Sequence, residues 1–321
     1  MLNENDRVLV IAEIGTNHDG SLSKALDLID IAVDSGADIA KFQSFLADEM
    51  VAKSDANYPM LKRLEMPQDW YPILIKHCSD RGIRFLSTAT NFLTLGWMED
   101  LDVWGYKVAS CNVSHTPLID KLIDLGRPVI ISTGLATLGE IIELSQKFDE
   151  SSVDAAFLHC VSEYPCPPER MNIKNITVLS NAIKQPVGFS DHSKGYNLAS
   201  AAIALGATVL EKHLTNNRDG YSPDHQVSLL PGEFSAMVAA VREIEQSLTS
   251  GFCPNPEAVR SMRRSLHFGA SLPRGHIIAE SDIKVVRPEG GLPPADLNSI
   301  IGCTLVEPVT EGQPLTLDLI R

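Results

Sequence analysis

PVGFSDH, residues 186–192, is an apolar run that ends in three polar residues, Ser190, Asp191 and His192. A second run, TVLEKHL at 208–214, carries Glu211, Lys212 and His213 at the same end. Short apolar runs of this kind read as strands buried on both faces, which belong in a parallel sheet. Six more precede them: VLVIAEIG (8–15), IAKFQ (39–43), IRFLSTA (83–89), YKVAS (106–110), PVIISTG (128–134) and AAFLHC (155–160). Helix-patterned intervals separate most of them, such as SLSKALDLIDIAVDSG at 21–36 and SAAIALGA at 200–207. Eight strand–helix units in about 240 residues predict an α/β chain closed into a (β/α)8 TIM barrel. The rival is an open, doubly wound sheet. Its nucleotide signature is missing, because IGTNHDGS after the first strand holds Gly15 and Gly20 but no G-x-G-x-x-G.

Polar residues track one end of these strands: Glu13, Lys41 with Gln43, Thr88, Lys107 with Ser110, Ser132 with Thr133, His159, Ser190 to His192, and Glu211 with His213. In a barrel these tips converge on one mouth, where catalytic groups are found. His192 and His213 end adjacent strands, roughly 5 Å apart. Two imidazoles there can share one ion, or stand as independent residues with one satisfied by Asp191. Two nitrogens plus waters suit a labile divalent ion such as Mn²⁺, Zn²⁺ or Co²⁺, with positions open for Lewis-acid chemistry. Glu13 would complete that sphere or act as a base.

Lys41 and Lys107 sit beside the hydroxyls of Thr88, Ser110 and Ser132. Inward lysines need matching negative charge, so the group reads as a cradle for a phosphate and a carboxylate; the alternative is lysines that face outward. Strand alternation points Lys212 away from Glu211 and His213. Tyr164, in HCVSEYPCPPE, lines a pocket or packs its own loop. Asp224, in YSPDHQVS, binds sugar hydroxyls or simply forms a turn after Pro223. His18 lies in a turn, TNHDGS, that can cap a helix, and Cys160 reads as a small core residue.

The 321 residues carry a formal charge of −14 and show no basic stripe beyond Arg260, Arg263 and Arg264, which argues against a nucleic-acid partner. No apolar run reaches membrane-spanning length, and the six cysteines lack C-x-x-C spacing. Reduced thiols and a cytoplasmic location are expected. The barrel should end near residue 246. SLTSGFCPNPEA opens a linker over 247–262, and residues 263–321 have the short strands and Gly/Pro turns of a small β-rich domain.

The motifs IAEIGTNHDGS, AKFQSF, KVAS, ISTG, LHCVSEYP, VGFSDHS and LEKHLT resemble those of the sialic acid synthase family. The tail SLHFGASLPRGHIIAESDIKVVRP and IGCTLVEPVTEGQPL resembles the family's antifreeze-like (SAF, β-clip) domain. The resemblance covers nearly the whole chain, in order. It implies condensation of phosphoenolpyruvate with an open-chain N-acyl amino sugar to a nine-carbon keto acid. The implied metal ligands are His192 and His213, the ion being Mn²⁺ with Mg²⁺, Co²⁺ or Zn²⁺ as substitutes. Phosphoenolpyruvate would be held by Lys41, Lys107, Thr88, Ser110, Ser132 and Ser190, with Glu13 near the reacting carbons. The sugar would meet Gln43, Tyr164, Asp224 and, in a domain-swapped homodimer, Arg287 from the other subunit. Three positions depart from the pattern. Asn112 replaces an acidic residue beside the acceptor and cannot act as a base; Ser162 stands where neuraminate synthases commonly have Asn, and Ser261 near the family's closing Phe. Two other readings stay open: a non-catalytic carbohydrate-binding homologue, and another phosphoenolpyruvate-dependent barrel synthase or aldolase.

Overall fold

The computed structural model describes residues 7–248, 251 and 254–321. The chain divides into two compact units, Met1–Thr249 and Ser250–Arg321.

In the first unit eight parallel strands close into a barrel in sequence order. They are β1 (Leu9–Gly15), β2 (Ile39–Ser44), β3 (Arg84–Ala89), β4 (Tyr106–Val108), β5 (Val129–Ser132), β6 (Ala155–Cys160), β7 (Val187–Asp191) and β8 (Val209–His213). Alternation divides each strand between two environments. Leu9, Ile11, Ile39, Leu86, Ile130, Ala156, Leu158 and Val209 pack together as the plug inside the barrel. The intervening residues, such as Val10, Ala40, Phe85, Val108, Ile131, Phe157 and Phe189, join the larger core beneath the helices. The plug fills the barrel from its N-terminal end, so the polar tips above it form the floor of a mouth rather than the lining of a pore.

Local signals set the helices. Ser21 caps Leu22–Asp34 by accepting from the Lys24 amide, and Thr137 with Glu140 forms a capping box at the start of Leu138–Ser151. The helix expected at 200–207 runs instead over Asn197–Ala204 and stops before Gly206, whose φ of +98° ends it. The strand expected at 106–110 ends at Val108, because the chain enters a 3-10 turn at Ser110–Asn112.

The second unit has its own core of Leu266, Phe268, Ile278, Ile300, Leu305, Val309, Leu315 and Leu319. Its sheet is one antiparallel pair, β9 (Ser265–Phe268) with β10 (Ile283–Val286). Part of the segment expected as a linker is helical, over Pro256–Met262, where Pro256 starts the helix and the Asn255 side chain accepts from the Glu257 and Ala258 amides. Residues 249–250 and 252–253 of that segment, Cys253 among them, lie outside the described residues. Among the described residues no helix is long and apolar enough to cross a membrane, and the cysteines are free thiols.

Candidate active site

The strand tips meet in one cavity lined by Glu13, Lys41, Gln43, Thr88, Lys107, Ser110, Ser132, Tyr164, Ser190, His192, Glu211 and His213. Register explains the gathering. Glu13 lies opposite Lys41 on one side and His213 on the other, Gln43 opposite Thr88, Thr88 opposite Lys107, and Ser190 opposite Glu211. All of these project inward from the C-terminal ends of the strands. The first strand bulges between Glu13 and Gly15. Gly15 has φ +54°, and a Cβ there would stand 2.8 Å from Asp224 Oδ2 and 3.1 Å from Gln43 Nε2. Only glycine lets those two side chains close over Glu13.

Both lysines face inward and are buried. Lys41 Nζ lies 2.8 Å from Glu13 Oε2 and 3.1 Å from Glu211 Oε2. Burial opposes its charge, but the two carboxylates outweigh it and raise its pKa above the ordinary lysine value. Lys107 has less support. It donates to Ser132 Oγ and the Val108 carbonyl, and its nearest carboxylate oxygen, on Glu211, is 4.0 Å away. Burial therefore pulls its pKa down, with Glu211 offsetting only part.

Glu211 is the centre of this group, although sequence reasoning names it only as a strand tip. Its carboxylate faces both lysines and accepts from Ser190 Oγ at 2.8 Å. Burial would raise its pKa, but Lys107 and Lys41 hold it down at about 2. The signal was present in E-K-H: Glu211 sits two residues before His213, on the same face of the strand.

The imidazoles of His192 and His213 lie side by side, with ring centroids 5.7 Å apart. Tyr164 covers His192 at a centroid distance of 4.0 Å. His192 Nδ1 is 2.8 Å from the Val161 carbonyl, so that nitrogen carries the proton and Nε2 keeps its lone pair. Burial, with His213 alongside, pushes the His192 pKa down to about 3, which leaves the ring neutral and able to ligate a cation. His213 Nδ1 is buried without a hydrogen-bond partner, 3.8 Å from Asp224 Oδ2. Two rings bound to one ion at ordinary nitrogen–metal distances would hold their centroids about 5 Å apart. The pair fits a divalent cation on these grounds. Among the described residues no cluster of three His, Cys, Asp or Glu side chains has the arrangement to hold a metal, so most of the coordination sphere would come from water or substrate.

The remaining expected residues divide. Gln43 Nε2 donates to Glu13 Oε1 at 2.8 Å, and with Tyr164, Pro223, Asp224 and Gln226 it lines an adjoining recess. Asp224 is held by Thr16, whose hydroxyl is 3.1 Å from Oδ2. Ser110 Oγ meets Ser162 Oγ at 3.1 Å. Asn112 is not among the lining residues; its amide donates to the Ala89 and Thr90 carbonyls, and its neighbour Cys111 faces the cavity instead. Asp191 does not serve a histidine, because it faces Lys212 on the outer side of the strands. His18 is buried against Trp70 and accepts from the Gly20 amide, a packing and turn role. Arg287 is an exposed residue after β10 in the second unit.

The NeuB family model matches residues 28–252. The chain belongs to the NeuB family. The SAF domain model matches residues 263–321. A family relative, the N,N'-diacetyllegionaminic acid synthase of Campylobacter jejuni subsp. jejuni serotype O:2, is 33% identical over 307 residues, 89% of this chain and 92% of its own. The pseudaminic acid synthase of the same organism is 32% identical over 331 residues, 98% and 96% of the two chains. Among solved structures, the N-acetylneuraminic acid (sialic acid) synthetase of Leptospira borgpetersenii serovar Hardjo-bovis superposes with a TM-score of 0.75 at 31% identity, covering 78% of this chain and 89% of that one. The family thus joins synthases named for legionaminic, pseudaminic and sialic acids.

Proposed function

We propose that this chain condenses phosphoenolpyruvate with an open-chain N-acyl hexosamine, giving a nine-carbon 2-keto sugar acid and inorganic phosphate. The observation that carries this reading is the meeting of two buried lysines and two adjacent imidazoles in one cavity. The lysines would cradle an anion and the imidazoles would hold a cation, all four lining the same cavity.

Lys41 and Lys107, with the hydroxyls of Thr88, Ser110, Ser132 and Ser190, would hold the phosphate and carboxylate so that C3 of the enol faces the aldehyde carbon. Fixing that approach is a positional effect. C3 attacks the aldehyde, a new C–C bond forms, and positive charge develops at C2. Water adds there, and the resulting tetrahedral centre expels phosphate by C–O cleavage. Glu13, with Lys41 on one oxygen and Gln43 on the other, is placed to order that water or carry its proton. Gln43, Tyr164 and Asp224 would receive the sugar in the adjoining recess.

A divalent ion held by His192 and His213, Mn²⁺ in this reading, would act as a Lewis acid on the aldehyde oxygen. Charge balance supports it. Two lysines are already matched by two carboxylates, so an anionic substrate arrives uncompensated unless a cation joins it. The partners in this reading are the two substrates and a second copy of the chain in a domain-swapped homodimer whose Arg287 completes the sugar site. The free thiols support a cytoplasmic location.

The test is incubation with phosphoenolpyruvate, Mn²⁺ and a panel of acetamido sugars that includes N-acetylmannosamine and diacetamido hexoses, with phosphate release followed for each. Metal-dependent release with at least one acceptor, together with a keto acid three carbons longer than the sugar, is the expected result. Phosphoenolpyruvate left intact across the panel would sink the proposal.

A further inference from the structure

The sequences S-D-H and E-K-H place a charged residue immediately before each candidate ligand histidine. Alternation sends those two residues to the outer face, where Asp191 and Lys212 are direct partners in the β7–β8 register. Both side chains are fully buried, with Lys212 Nζ 3.1 Å from Asp191 Oδ2. They also grip the backbone just beyond His192. Lys212 donates to the Ser193 carbonyl at 2.5 Å, and Asp191 Oδ1 accepts from the Ser193 amide at 2.8 Å.

We propose that Asp191 and Lys212 are positioning residues that clamp the chain on both sides of His192 and tie it to the strand carrying His213, fixing the spacing of the two imidazoles. This rests on the reading that those imidazoles hold a divalent cation. Stability alone is a poor reason for the pair, since buried ion pairs can often be replaced by apolar side chains without loss. Its location is the stronger reason. Each partner is covalently adjacent to one histidine, and the shared contact at Ser193 leaves His192 flanked by two anchored residues. The His192 ring is then held by the Val161 carbonyl at Nδ1 and its backbone oxygen by the Cys166 amide at 3.0 Å. Residues that orient ligands in this way govern metal affinity.

The decisive variant replaces both members, Asp191→Leu with Lys212→Met, so that neither charge is left buried alone. Two readouts avoid turnover. Mn²⁺ alone is titrated by electron paramagnetic resonance, and ¹⁵N-histidine spectra of metal-free protein report the Nδ1-protonated ring of His192. The double variant is expected to unfold cooperatively and to keep its thermal shift with inorganic phosphate. It should bind Mn²⁺ about tenfold more weakly or worse and lose the distinct His192 signal. Mn²⁺ affinity within threefold of the unmodified protein, whatever the ring signal, overturns the proposal. Should the double variant fail to fold, Asp191→Asn keeps the side-chain size and must still weaken Mn²⁺ binding. If the unmodified protein itself takes no Mn²⁺, the metal reading fails separately, and the clamp then stands or falls on the His192 signal of the variant.

Discussion

Lys41 and Lys107 face the same carboxylate, yet their surroundings move them in opposite directions, Lys41 up and Lys107 down. The difference is one of partners: Lys41 has two carboxylates within 3.1 Å, whereas Lys107 shares Glu211 at 4.0 Å. Glu211 therefore supplies part of the negative charge that both buried lysines require. Glu211→Gln should destabilise the ligand-free protein by about 3 kcal/mol, because it strands part of a buried charge network. Inorganic phosphate should then raise the melting temperature more in this variant than in the unmodified protein, since the anion replaces the lost charge. An equal or smaller phosphate shift, read by differential scanning fluorimetry, would separate Glu211 from the anion cradle. His18 gives a second prediction at this scale. Burial pushes its pKa down to about 4, only partly opposed by Asp19. The unfolded chain takes up that proton first, near pH 6.5, so stability falls as pH drops through 6.5 toward 4. Between pH 7 and 5 the loss assignable to His18 is about 2 kcal/mol. Urea unfolding at the two pH values should show it, and His18→Gln should flatten the dependence by that amount.

The strands show why so much of the barrel could be read beforehand. A strand buried on both faces is mostly apolar where it meets the plug or the helices and turns polar toward the mouth, the buried Asp191–Lys212 pair on the outer face being matched charge for charge; hence the run VGFSDH both announces a strand and marks its functional end. The same period placed Lys41, Lys107, His192 and His213 on one face. What stayed illegible depends on contacts made across the sequence. Asn112 lies on a turn whose direction is set by the Ala89 and Thr90 carbonyls, more than twenty residues away, so its distance from Ser110 does not tell which way it faces. Alternation in E-K-H puts Glu211 on the face of His213, but its partners become known only when the fold brings Lys41 and Lys107 to it. Strand packing itself supports a further prediction. A Cβ at Gly188 would stand 2.4 Å from the Val209 carbonyl and 2.5 Å from Leu158 Cδ2. Gly188→Ala must push β7 away from β6 or β8 and should cost about 2–3 kcal/mol in urea unfolding. Because β7 leads directly into His192, turnover should fall as well. A variant of unchanged stability would mean that the barrel yields at this level.

At the scale of the molecule, each of the two units has a core of its own. The barrel supplies every group of the candidate cavity, whereas Arg287 belongs to the second unit. If that unit serves the barrel of another copy, the active site is shared between two chains, and inactivity can be repaired by mixing. His213→Ala should abolish metal-dependent turnover while leaving the second unit intact; Arg287→Ala should leave the barrel intact and weaken use of the sugar. In a mixed dimer the Arg287→Ala barrel would receive a normal Arg287 from the His213→Ala chain, while the other site would lack both groups. Co-expression in equal amounts makes about half the dimers mixed, each with one complete site, and so should restore about a quarter of the unmodified activity. An arginine that served its own barrel would give no such recovery, because every chain would then carry its own defect. The measurement is phosphate release by the co-purified pair, separated from either parent by two affinity tags; with one complete site of two in every such dimer, it should show about half the unmodified activity. Activity no greater than the Arg287→Ala protein alone would remove the second chain from the site and leave the sugar to the barrel.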